Sequence, residues 1–193
     1  DRRQAANLWH VKQAVQTLLA RRLGAYNDNI HIADGFPLPI CAFLRSPNSR
    51  IFNGHASSSH CASSVQTDSG FQGLISINFD GVISGLTLTP ANVDEREERR
   101  EVVECLNGLL IGDKGFIRPY RQQDLAKIGI DLQTPLRKNM KDSRPKSFVK
   151  QLMSKRRLVE TVIGQLTERF EIEKTKARDL CHLTNRMTRK ILA

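Results

Sequence analysis

The chain has 193 residues, of which 39% are hydrophobic and 26% charged, and its 30 Lys and Arg outnumber 20 Asp and Glu for a formal net charge of +10. That is one full domain with a sizeable core, and its composition is ordinary for a soluble globular protein. No apolar run reaches the ~20 residues of a membrane span, and the N-terminus has no signal-peptide pattern.

Four cysteines, Cys41, Cys61, Cys105 and Cys181, are widely spread with no C-x-x-C pair. Neither a zinc ribbon nor a disulfide framework is indicated, so reduced thiols in the cytoplasm are expected. His55, His60 and Cys61 cluster, but the serines around them read as a polar loop rather than a structural zinc site.

In chain order, residues 4–24 predict a helix, with Leu8, Val11, Val15, Leu18 and Leu19 at helical spacing and Gly24 as its stop; the apolar stripe is expected to be core. The opening residues read as the middle of a helix, so 1–29 is expected to be the end of a longer upstream region and 30–193 the main domain. Strands are expected at 30–33, 71–79 and 82–89. Asp80-Gly81 between the last two is a strong hairpin signal, which makes them antiparallel neighbours. A charged helix is expected over 94–106, capped by Asn92 or Asp94, then a buried strand at 109–112, a helix at 119–128 and a strand at 130–134.

Charge is segregated along the chain. Residues 137–193 hold 16 basic and 6 acidic side chains, which is the entire excess, while the rest balances at 14 and 14. The basic stretch includes Arg137-Lys138, Lys155-Arg156-Arg157 and Arg189-Lys190. It matches the electrostatic footprint of a protein that follows a phosphate backbone, and no membrane partner is indicated.

Three acids stand out against this background. Asp34 follows the apolar run from Ile30 and Asp113 the run from Leu109, each before Gly or Pro punctuation, so both are expected where strands end. Glu160 lies inside the basic amphipathic stretch. A lone Asp after a strand is usually a turn residue or a cap, and a lone helical Glu is usually solvated. Together they suggest a metal centre, because converging negative charges repel unless a divalent cation neutralises them.

The order of elements resembles the ribonuclease-H-like fold: an α/β mixed sheet flanked by helices, with a helical N-terminal segment and a basic helical C-terminus. The segments Asp34-Gly35-Phe36-Pro37, Asp80-Gly81-Val82, Thr89-Pro90-Ala91-Asn92-Val93-Asp94, Gly112-Asp113-Lys114-Gly115-Phe116, Thr134-Pro135-Leu136-Arg137-Lys138 and Glu160-Thr161-Val162-Ile163-Gly164 look like the DDE transposases of bacterial insertion sequences, family 982. The resemblance runs in order from about residue 30 to 193. It implies that Asp34, Asp113 and Glu160 are the catalytic, metal-holding triad. Arg156, one helical turn before Glu160, would meet DNA phosphate. The signature around the third acid is partial, with Met153 where a Tyr would stand and Thr167 where a Lys would.

Lys114, Arg137, Lys138 and Arg157 are further candidates for phosphate contact, whereas Asn92 and Asp94 are explained as caps. Two Mg²⁺ ions roughly 4 Å apart, with Mn²⁺ able to substitute, would support in-line phosphoryl transfer by water or a 3′-hydroxyl. The implied partners are double-stranded DNA, at element ends and target, and further copies of the chain on DNA. Cytoplasmic, nucleoid-associated residence follows. Two other readings stay open: a ribonuclease-H-like nuclease of different substrate, and a catalytically decayed or truncated relic that only binds DNA.

Overall fold

The computed structural model describes residues 2–42, 52, 57–61, 66–90, 106–113, 119–136 and 140–193. The helix expected over 94–106 and its caps Asn92 and Asp94 lie outside the described residues. A helix α1 (Arg2–Arg22) is followed by strands β1 (Ile30–Ala42), β2 (Ser57–Cys61), β3 (Gln66–Ile77), β4 (Ile83–Pro90) and β5 (Gly108–Ile111). Helix α2 (Pro119–Lys127), strand β6 (Ile130–Gln133) and helices α3 (Lys146–Glu168) and α4 (Leu180–Leu192) complete the described elements. None of the described helices is long and apolar enough to cross a membrane.

All six strands join one mixed sheet. β3 pairs antiparallel with β1 along one edge, and its other edge is shared end to end by β2 and β4. β5 pairs parallel with β1, and β6 parallel with β5. Across the sheet the order is therefore β4, β3, β1, β5, β6, with β2 extending the β4 edge. Three antiparallel strands followed by two parallel ones, with helices on the faces, make the expected ribonuclease-H-like α/β architecture.

The Asp80-Gly81 hairpin forms as expected, and the buried Asn78 organises it. Its side-chain oxygen accepts from the backbone N–H of Asp80 at 3.1 Å and of Val82 at 2.8 Å. Gly81 takes the positive φ of 83° that such a turn demands. Ser57–Cys61, expected to be a polar loop, is instead β2. Its small polar residues pair with β3 from Ser57↔Gly70 to Cys61↔Gln66, because backbone ladder bonds need no apolar side chain.

β1 departs most from expectation. Gly35, Pro37 and Pro39 were expected to end it at Asp34, yet it continues to Ala42, paired with β3 throughout. β5 stops opposite Ile32, so beyond that point no strand among the described residues pairs with that edge of β1. A strand with an open edge tolerates prolines that lack an N–H.

The sheet buries both faces. Ile32, Phe36, Leu38, Ile75 and Ile77 pack on one side with Leu152, Val159 and Leu166 of α3 and with Leu183 and Met187 of α4. On the other side Ala33, Leu74, Leu110, Ile130 and Leu132 pack with Leu125 of α2. Leu152, Val159 and Leu166 recur every seven residues, which keeps one line of α3 against the sheet. Each is worth about 1.5–3 kcal/mol of burial, so the angle at which α3 crosses β1 is firmly set.

The stripe on α1 is not core. Leu8, Val11, Val15, Leu18 and Leu19 are between 41% and 63% exposed. The helix docks through another face, on which Lys12 donates to Asn185 of α4, Gln16 donates to the Ile83 carbonyl of β4 at 2.8 Å, and Ala20 is buried. Periodicity reports that a helix has an apolar face, but it does not report what covers that face.

Candidate active site

The parallel pairing of β1 with β5 ends at Ile32↔Ile111. Asp34 and Asp113 each lie two residues beyond that last pair. Residues two apart in extended chain share a face, so both acids project from the side on which Ile32 and Ile111 meet α3. Gly112 keeps the second acid in line, since its N–H still bonds to the Gln133 carbonyl of β6 at 3.0 Å. Asp113 therefore sits just past a strand end, as expected. Asp34 lies inside a strand, and what ends beside it is the pairing with β5. The end of the parallel pairing, at the carboxyl end of β5, is the kind of place where α/β folds open a crevice for ligands.

α3 brings the third acid across this crevice. Leu152, Arg156, Val159, Ile163 and Leu166 follow one another along its sheet-facing stripe at helical spacing, so Arg156 occupies a place where a Leu would ordinarily pack. Its guanidinium reaches all three carboxylates. Nη2 donates to Asp34 Oδ2 at 2.9 Å and lies 3.4 Å from Glu160 Oε1, while Nη1 lies 3.5 Å from Asp113 Oδ1. The three acids, 79 and 47 residues apart in the chain, thus converge on one side chain.

Exposure ranks these contacts. The Asp34 and Arg156 side chains are 15% and 17% exposed, against 41% for Asp113 and 52% for Glu160. The Asp34–Arg156 pair is the one in a low-dielectric setting, and the outer two contacts are screened by water. Burial works against the charge of Arg156, but the hydrogen bond to Asp34 and the charges of Asp34, Asp113 and Glu160 together hold its pKa above the ordinary arginine value.

The donor set suits a hard divalent cation, since all three groups offer carboxylate oxygens. Among the described residues no three His, Cys, Asp or Glu groups lie close enough to hold a metal ion as they stand.

Of the other basic candidates, Lys114, Arg137 and Lys138 lie outside the described residues. Arg157 is exposed on α3 next to the cluster. Lys155 packs its ammonium 4.3 Å from the centre of the Phe79 ring, tying α3 to the β3–β4 hairpin. Arg144, not singled out by the sequence, clamps the segment after β6: it donates to Asp142 at 2.8 Å, Gln133 at 2.8 Å and the Thr134 carbonyl at 2.9 Å. That hydrogen bonding from Arg144 holds the Asp142 carboxyl down at about 2.

His31 was also missed, and its spacing offered no signal beyond one polar residue in an apolar run. It is 1% exposed on β1, and among the described residues neither ring nitrogen has a hydrogen-bond partner of good geometry. Burial pushes its pKa below the usual histidine value, opposed in part by Asp28. The folded chain therefore favours the neutral ring, and stability is full above the unfolded pKa of about 6.5 and falls as pH drops below it, by up to about 1.4 kcal/mol per pH unit. Urea unfolding between pH 5 and 8 should show this slope in the parent and lose it in His31→Leu. Parallel curves for the two would assign the slope to other groups.

The sequence model of the family described as Transposase DDE domain matches residues 24–180. No curated protein and no solved structure matches the chain. The matched span contains β1, β5 and α3 with all three converging carboxylates and Arg156, and over most of its length the chain belongs to the Transposase DDE domain family.

Proposed function

We propose that this chain is a transposase of insertion-sequence family 982 that cleaves DNA strands at the element's ends and joins the freed 3′-hydroxyl to target DNA, with Asp34, Asp113 and Glu160 holding two divalent cations, Mg²⁺ by preference and Mn²⁺ as substitute. The observation that supports this most is the convergence of those three carboxylates on one guanidinium across the crevice where β1 and β5 part. Cations bound there would supply Lewis-acid stabilisation of the phosphate oxygens and lower the pKa of an attacking water.

The chain's own residues do the positioning. Asp34, in a strand paired with β3 on its inner edge, is the rigid member, whereas Glu160 on the exposed side of α3 can adjust as substrate enters. Water and a DNA 3′-hydroxyl can serve in turn as nucleophile at one site, since hydrolysis and strand transfer differ only in the attacking oxygen. Arg157, Arg137 and Lys138, in the stretch that carries the whole +10 excess, and Lys114 beside the second acid would meet the DNA backbone by charge. In this reading 30–193 is the catalytic domain and 1–29 a helical segment docked on it. The working form is an oligomer on double-stranded DNA in the cytoplasm, associated with the nucleoid.

The test is strand cleavage of duplexes carrying an element end, with Mg²⁺, Mn²⁺ or chelator, beside RNA and RNA–DNA hybrid of the same sequence. Metal-dependent nicking of the DNA end is expected. Preference for RNA would replace the transposase reading with another ribonuclease-H-like nuclease, and DNA binding without cleavage under every metal would mark a relic.

A further inference from the structure

Arg156 stands where a cation held by the three acids would stand. Its Nη2 is shared by Asp34 and Glu160, and its Nη1 faces Asp113. The contacts are unequal. Only the one to Asp34, at 2.9 Å, is a hydrogen bond, while those to Asp113 and Glu160, at 3.5 and 3.4 Å, are ion pairs of looser geometry. The third nitrogen, Nε, is buried with no partner among the described residues. A planar guanidinium with five fixed donors can satisfy a carboxylate in two-pronged fashion, and here it forgoes that fit to touch three acids at once. One positive charge against three negative ones also leaves the cluster under-neutralised.

From this we infer that Arg156 is an internal counter-cation of the acidic cluster: it neutralises the carboxylates while no metal is bound, and it must withdraw before they can close on a divalent ion. The inference rests on the reading of the triad as metal-holding. It makes Arg156 a positioning residue that competes with the metal, in contrast to the plain phosphate contact implied by sequence resemblance. A dication neutralises the three acids better than a guanidinium does, and two of the three contacts to be surrendered are solvent-screened. The competition therefore weakens metal binding without preventing it. If the arrangement with Arg156 withdrawn is about one-tenth populated, the apparent metal affinity is lowered about tenfold.

The experiment measures binding of Mn²⁺ alone to the full chain by titration calorimetry, without DNA, in the parent and in Arg156→Gln, Arg156→Lys and Arg189→Gln. Arg156→Gln is expected to bind Mn²⁺ about tenfold more tightly than the parent. Arg156→Lys, whose single ammonium cannot span three acids, should fall between and serves if the Gln variant does not fold. Arg189→Gln, at an exposed position on α4, removes the same charge at a distance and should match the parent. Equal or weaker binding in both Arg156 variants, while Asp113→Asn still weakens binding in the parent, would overturn the counter-cation and leave the triad standing. Mn²⁺ binding in the parent that is indifferent to Asp34→Asn and Asp113→Asn would overturn the metal-holding triad, and the counter-cation with it.

Discussion

Replacing Asp113 by Asn is expected to reduce metal-dependent strand cleavage by about a thousandfold or more while leaving DNA affinity unchanged or slightly raised. A carboxylate that holds the cation at the reacting phosphate contributes several kcal/mol to the transition state, and each ~1.4 kcal/mol is tenfold in rate. Removing a negative charge next to DNA lessens repulsion of phosphate, so binding should not suffer. Asp113 is the cleanest position for this test. Its side chain is 41% exposed and its contact with Arg156 is 3.5 Å, so the fold loses little when the charge goes. Asp34→Asn should abolish cleavage equally but also weakens the enclosed pair with Arg156, and its melting temperature must be read alongside. The measurement is single-turnover cleavage with Mg²⁺ together with binding to the same duplex. An Asp113→Asn chain that cuts at the parental rate would remove Asp113 from the chemistry.

A large stability effect is expected at Gly108, the first residue of β5. Gly108 has φ +81°, and a Cβ built there would collide with the Asn29 carbonyl. That same carbonyl accepts from the Leu109 N–H at 2.7 Å, and the Gly108 N–H donates to the Gly129 carbonyl at 3.1 Å. The residue therefore sits where β1, β5 and β6 start their parallel pairing. Gly129 has the same φ of 81° but open space around its Cβ position, which separates the two causes. Gly129→Ala should lose only the left-handed backbone penalty, about 1–2 kcal/mol. Gly108→Ala adds displacement of a backbone strand and should lose about 3–4 kcal/mol, near 10 °C in melting temperature at about 2–4 °C per kcal/mol for a chain of this size. Thermal unfolding of the two variants decides it. Equal shifts would mean that the β1–β5 approach yields to the added methyl.

The effect reaches the candidate site through β5. Asp113 is held in line by the ladder that begins at Gly108 and ends with the Gly112 N–H on β6. A shift at the start of β5 displaces an acid at its far end, because a four-residue strand has no slack to absorb it. Gly108→Ala should therefore also weaken Mn²⁺ binding.

Much of this molecule is fixed by local patterns. The apolar runs on either side of Asp80-Gly81 point to a hairpin, because Gly81 supplies the positive φ that the turn between antiparallel neighbours needs. The run before Asp113 is short and continuously apolar because a central parallel strand is covered on both faces. Asp34 and Asp113 were legible by the apolar runs before them and the punctuation after them, Glu160 by its place inside the basic amphipathic stretch, and the basic excess by counting.

What depends on neighbours was not legible. Whether Pro37 and Pro39 end β1 turns on how far β5 extends beside it, which is a property of another segment 70 residues away. The stripe of α1 is periodic like that of α3, though weaker, yet α3 lies on the sheet while α1 docks by the polar residues Lys12 and Gln16, since periodicity is intrinsic to a helix and cover is not. Arg156 shows the same division. The sequence places it four residues before Glu160, on a line with Leu152 and Val159. Only the crossing of α3 over the parting strands turns that position toward Asp34 and Asp113, so tertiary structure alone decided that its charge would meet carboxylates: a buried guanidinium takes the partners that packing brings within reach.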